Sequence, residues 1–186
     1  AVTDEMIEQF HTLGYAKVPG LLSPAWMEVM REAMVRSAIS SADRAVELGL
    51  PSVAFTEHVY DYVEHGGTAE SSKQLGVDEH AVVKTLVMQD EKADPLIVLM
   101  HGDRTVSLKE LARQIPCKKV EPCKPEVAEK HSGYQVGGTS PFGLKCAMPI
   151  YVEESILALP RIFINGGKRG FLVGIETRAL AVLKAK

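Results

Sequence analysis

The sequence predicts an α/β (α+β) domain built around a mixed sheet. Two near-continuous apolar runs, VVKTLVM and PLIVLM, have the character of strands covered on both faces. Strand-like and helix-like segments alternate through short glycine and proline turns, which implies intermixed strands and helices rather than separate layers. A chain of 186 residues that is 46% hydrophobic and 24% charged can bury one sizeable core.

Residues 1–40 read as a helical N-terminal extension. Ser23 and Pro24 form a helix start, with Ser as the cap and Pro at the first helical position. Trp26, Met27, Met30, Met34 and Val35 then recur at helical spacing, a packing pattern. From residue 53 the texture changes. VAFTEHVYDY is rich in aromatic and β-branched residues and reads as a strand, followed by the two apolar runs as central strands. In SLKELARQI, Ser107 and Glu110 make a capping box at the start of a short helix. KPEVAEKHSG predicts another helix, closed by Gly133. Strands near MPIYV, RIFI and FLVGI follow, with helices near EESILAL and at the C-terminus.

Several function classes fall away. The chain has no run of eighteen apolar residues, and AVTDEMIEQF lacks a basic start and an apolar stretch, so a cytoplasmic protein with no membrane partner is expected. Cys117, Cys123 and Cys146 form no CxxC pair and read as reduced thiols, which fits neither a disulfide scaffold nor a zinc finger. The net charge of −3 hides an asymmetry. Residues 1–100 carry 7 Lys and Arg against 16 Asp and Glu, whereas residues 101–186 carry 14 against 8. A basic C-terminal half hints at a polyanionic partner, although charge also fluctuates along ordinary sequences.

The segment GYQVGGTSPFGLK, residues 133–145, holds four glycines around a Thr and a Ser-Pro pair. It matches neither GxGxxG nor a P-loop, so a nucleotide triphosphatase is not expected. Glycines let a ligand approach backbone N–H groups, with the Thr139 and Ser140 hydroxyls alongside. The same spacing is also that of a wide turn fixed by Pro141. Lys84 lies inside VVKTLVM, where an ammonium is costly unless it meets an anion or polar partner or snorkels out. INGGKRG, residues 164–170, again pairs glycines with cations at a strand end.

Taken in this order and at these separations, VVKTLVM, GYQVGGTSPFG and INGGKRG resemble the YbaK family of trans-editing aminoacyl-tRNA deacylases, relatives of the prolyl-tRNA synthetase editing domain. The resemblance runs from about residue 41 to the C-terminus, giving a domain over 41–186, and takes in the helix SADRAVELG and the strand VAFTEHVY. It implies a barrel-like mixed sheet surrounded by short helices. By resemblance, Lys84 holds the terminal phosphate and ribose of the substrate and Tyr60 lines the pocket. Gly137, Gly138 and Ser140, with Thr139 between them, form the loop whose amides face the ester. Gly166, Gly167 and Lys168 keep the pattern of the second turn, whereas Asn165 departs from the small residue usual there.

The implied activity is hydrolysis of mischarged tRNA, above all Cys-tRNA(Pro), with no cofactor and no metal. Charged tRNA is the expected partner, and prolyl-tRNA synthetase a further one. The loop also suits branches that clear alanine or related small amino acids, and a non-catalytic module binding tRNA or a synthetase is the alternative from another class. No Ser/His/Asp constellation is evident, so the resemblance implies that the substrate supplies the attacking group. A rival enzyme reading comes from EQFHTLGYAKVPGLLS, which resembles the opening of phytanoyl-CoA dioxygenase-like proteins. In that reading His101-Gly102-Asp103 would supply two thirds of an iron triad. The chain is short for that fold, and HGD closes an apolar strand inside the YbaK-like part.

Overall fold

A computed structural model describes residues 54–185. The predicted helical extension and the helix SADRAVELG lie outside the described residues.

Seven strands form one mixed sheet: β1 (Phe55–Val59), β2 (Val82–Asp90), β3 (Pro95–His101), β4 (Val120–Pro122), β5 (Ile150–Val152), β6 (Arg161–Asn165) and β7 (Phe171–Glu176). The order is β1-β7-β6-β2-β3-β5, with β4 also paired to β2. β2 runs parallel to β6 and β3 parallel to β5, and the other pairs are antiparallel. The expected mixed sheet is therefore present, but among the described residues it is not closed: β1 and β5 end its main path, and β4 stands off that path. These edge strands are only five and three residues long, which leaves little backbone to pair across a seam.

The apolar runs became central strands because both faces are covered. Along β2 and β3, Val83, Val87, Ile97 and Leu99 face one core with Ile162, Ile164 and Ile175. The alternate residues Met88, Leu96 and Val98 face a second core with Ile115 and Val120. Ile97, Leu99, Ile162 and Ile164 are fully buried, and truncating any one to Ala would cost about 2–5 kcal/mol.

Three α-helices flank the sheet among the described residues: α1 (Gly67–Leu75), α2 (Leu108–Gln114) and α3 (Pro125–Ser132). Ser107 Oγ accepts from Glu110 N at 3.4 Å, the first half of the predicted capping box, while the Glu110 carboxylate pairs with Arg113. α3 ends where predicted, on Gly133 in the left-handed region. Two predicted helices are 3-10 instead, Glu154–Ala158 and Thr177–Leu183. Pro160 disfavours a helical Leu159 and so stops the first after five residues. In the second, Thr177, Ala179 and Leu180 are buried, and the three-residue spacing from 177 to 180 matches the tighter helix.

The sheet splits beside β2. On the edge away from β3, β6 pairs only with Val82 and Val83, and β4 only with Met88 to Asp90. Among the described residues the middle of β2 therefore has no strand partner on that edge, and a crevice opens there.

Candidate active site

The crevice is a cavity of about 610 Å³, and β2 supplies its central wall from Val82 to Met88. Tyr60 and Tyr62 line it from the segment after β1, and Gly137 and Thr139 from the glycine loop. A second hollow of about 660 Å³, bounded by Leu157, Pro160 and Arg178, holds none of the residues singled out by the sequence.

Lys84 is half-buried on β2, where its ammonium donates to the carbonyls of Gly102 (2.9 Å) and Arg104 (2.5 Å). These are the polar partners that a cation on a covered strand requires. An ammonium carries three N–H donors, so one remains for a ligand in the cavity that Lys84 lines. Tyr60 is tied by its backbone N–H to Gly170 O at 3.0 Å. Burial pushes its phenol above the ordinary value, opposed by a backbone hydrogen bond from Gly170.

The two glycine turns form one unit. Asn165 Nδ2 donates to Gly137 O and its Oδ1 accepts from Gly167 N, both at 3.0 Å. Arg169 Nε donates to Val136 O at 2.8 Å while its guanidinium lies 4.8 Å from the centre of the Tyr62 ring. A Cβ on Gly138 would stand 2.8–3.0 Å from the backbone of Lys168 and Arg169, so only glycine lets the two turns meet. Gly137 has φ of 88°, a conformation that also favours glycine.

The predicted site residues thus divide. Lys84, Tyr60, Gly137 and Thr139 reach the cavity wall. Gly138 and Ser140 are buried within the loop; the Gly138 amide donates to Gln135 O at 2.8 Å, and Ser140 Oγ accepts from Phe142 N at 3.3 Å. The expectation that the loop's amides face a ligand therefore does not extend to the Gly138 amide, which closes the turn itself. Gly166, Gly167 and Lys168 are not among the residues lining the cavity; the Lys168 backbone abuts Gly138, and its ammonium lies 4.9 Å from the centre of the Phe171 ring. Asn165, Tyr62 and Arg169 were not assigned roles from sequence. A doubly bonding side chain at the end of a strand before two glycines was the one available signal for Asn165.

Thr85 also lines the cavity, and its buried Oγ1 has no hydrogen-bond partner. Burial pushes the thiols of Cys117 and Cys123 up, more so for the nearby acidic groups, which disfavours either as a thiolate nucleophile.

The HGD segment is not a metal triad. His80, His101 and Asp103 do cluster, with candidate atoms within 4.8 Å of one another. The two imidazoles, however, stack at 3.8 Å and 13°, so their in-plane lone pairs do not converge on one point. His101 uses Nδ1 on the His80 carbonyl (2.5 Å) and Nε2 on Ser155 Oγ (2.8 Å) and Glu153 Oε2 (2.9 Å). Burial alone would raise the Glu153 carboxyl, but hydrogen bonds from Ser155 and the charges of His101 and Arg104 hold it below its ordinary value.

A cavity walled by β2 and the glycine loop, with one anchored ammonium, suits a site that binds an anionic ester. The aminoacyl-tRNA editing domain model matches residues 64–183. The chain belongs to this family of aminoacyl-tRNA deacylases, the one its motifs resembled. It is 32% identical over 132 residues to a putative Cys-tRNA(Pro)/Cys-tRNA(Cys) deacylase, EbsC, of Enterococcus faecalis, a match covering 70% of this chain and 80% of the relative. It is 24% identical over 106 residues to the proline–tRNA ligase of Limosilactobacillus reuteri, covering 55% of this chain but 18% of the ligase. In fold it is similar to a putative trans-editing enzyme for prolyl tRNA synthetase, with TM-score 0.63, 22% identity, and 89% and 95% of the two chains covered. The protein APE2540 has a similar fold, with TM-score 0.61 and 25% identity over 76% of this chain and 91% of that one.

Proposed function

We propose that the protein clears cysteine from mischarged proline tRNA, acting in trans in the cytoplasm on Cys-tRNA(Pro) and passing substrate to or from prolyl-tRNA synthetase. The relative named as a Cys-tRNA(Pro) deacylase supports the amino acid, and the cavity between Lys84 and the glycine loop carries the chemistry. The free N–H of Lys84 holds the phosphate and ribose of the tRNA terminus. The ester carbonyl lies against the loop at Gly137 and Thr139, where backbone dipoles stabilise the oxyanion as it forms.

The attacking group comes from the substrate. Its thiol sulfur bonds to the ester carbon, the bond from that carbon to the ribose oxygen breaks, and the thiol proton ends on the ribose oxygen. The protein contributes position and dipoles rather than a nucleophile. Burial and the nearby Glu121 push the thiol of Cys123 at the cavity wall up, which disfavours its thiolate as a competing nucleophile.

Deacylation across proline tRNA charged in turn with cysteine, alanine, serine and proline tests this reading. Cysteine should be released fastest. Preferred release of alanine would move the protein to another branch of the family, and release of none would leave a binding module.

A further inference from the structure

We propose that His101 and Glu153 are positioning residues for Lys84: they fix the turn 101–104, whose carbonyls grip the Lys84 ammonium. The inference rests on the reading of Lys84 as a substrate-binding group and deepens it.

Lys84 sits on β2 opposite Met100, and both of its observed partners, Gly102 O and Arg104 O, come from the turn that leaves β3. Wherever that turn goes, the ammonium follows. The turn is held at both ends by one carboxylate: Glu153 meets His101 Nε2 at 2.9 Å and Arg104 Nη1 at 3.8 Å. Between them, Asp103 bonds His80 Nδ1 at 3.0 Å. At Gly102 a Cβ would lie 2.6 Å from the Glu79 carbonyl, so the backbone there has no room to shift.

The His101 side chain is fully buried, and its two nitrogens face different acceptors. Nδ1 lies 2.5 Å from the His80 carbonyl, and Nε2 lies 2.8 Å from Ser155 Oγ and 2.9 Å from Glu153 Oε2, so the ring and the carboxylate belong to one hydrogen-bonded cluster. Burying polar groups costs desolvation, so such a cluster is a poor device for stability. It is a good device for direction. Among the described residues, the cation that the turn's carbonyls hold is the one on the cavity wall, which gives this rigidity a use.

Substitution at buried His101 risks unfolding, so the test is made at Glu153, which remains one-quarter exposed. The first readout is the ¹⁵Nζ signal of Lys84 in the full chain, assigned by its disappearance in Lys84→Arg. In wild type the doubly bonded ammonium should give a slowly exchanging peak. Glu153→Ala should shift or broaden that peak beyond detection, and Glu153→Gln, whose amide oxygen still accepts from His101, should restore it in part. The second readout is single-turnover deacylation of Cys-tRNA(Pro). Glu153→Ala should lower the rate tenfold or more in the wild-type background but less than twofold in Lys84→Ala, because Glu153 acts through Lys84. An unchanged Lys84 peak in folded Glu153→Ala, or equal losses in both backgrounds, overturns the proposal. If wild type does not cleave Cys-tRNA(Pro), the functional reading fails by itself and the Lys84 peak alone decides this one.

Discussion

The two walls of the cavity are built on opposite principles. One is a strand, β2, whose contribution is a side chain: Lys84, anchored at Gly102 and Arg104. The other is a pair of turns, 133–143 and 165–170, whose contribution is backbone, locked by Asn165 and by the contact of Gly138 with residues 168 and 169. On the proposed function, the strand wall supplies charge and the turn wall supplies dipoles. A mutation on the first should therefore remove function with little loss of fold, while a mutation on the second should remove both together.

The largest expected effect is Lys84→Ala. Deacylation should fall at least ~100-fold, the scale of losing one preorganised donor to developing charge. The stability change should stay within about 1–2 kcal/mol, because relief from burying a cation offsets two carbonyls left without a donor. Wild-type rates in a folded variant would remove Lys84 from the site.

Next comes Gly138→Val. From sequence alone this change would be expected to block the ester's approach and cost activity more than stability. The structure alters that expectation, because a Cβ there strikes the backbone of Lys168 and Arg169. Thermal unfolding should register a loss of about 1–3 kcal/mol or more, in parallel with activity. Full stability with lost activity would show that the turns part without cost and that both walls lose function without loss of fold.

Asn165→Ala should have an intermediate effect. It removes one bond to Gly137 O and one from Gly167 N, at about 1 kcal/mol each, and should lower kcat/KM several-fold through looser seating of the loop. Asn165→Asp, which keeps the acceptor and loses the donor, separates the two bonds. Equal rates in all three proteins would make Asn165 incidental.

The smallest effect should come from changing Cys117, Cys123 and Cys146 together to Ser. Deacylation should stay within about twofold, since burial disfavours the thiolate form of Cys117 and Cys123. A folded but inactive triple variant would demand a protein nucleophile.

The difference between the walls also governs what could be read from sequence. β2 and β3 were legible because burial on both faces writes an uninterrupted apolar run, and the lysine inside it stood out for the same reason. The end of α3 was legible from Gly133, a local signal. α1 was not predicted: GTAESSKQL offers Ser71 and Ser72 as its buried residues rather than an apolar stripe. β4 escaped as well, since three residues ending in Pro122 become a strand only by pairing with the end of β2. The glycine turns were recognisable as motifs, yet their joining depends on Asn165 reaching a residue 28 positions away. The bond from His101 to Ser155 spans 54 positions. No local pattern encodes such contacts; the HxD spacing of HGD suggests a metal motif only when read apart from its surroundings.

On the proposed function, the protein arranges an ester for attack by the substrate's own thiol. The most direct measurement compares single-turnover deacylation of Cys-tRNA(Pro) with Ser-tRNA(Pro), which differ by one atom at the attacking position. A hydroxyl is much the poorer nucleophile at neutral pH, so the serine ester should be cleaved far more slowly, by a hundredfold or more. Equal rates for the two esters would contradict thiol-assisted cleavage and send the search back to a nucleophile or an activated water within the cavity.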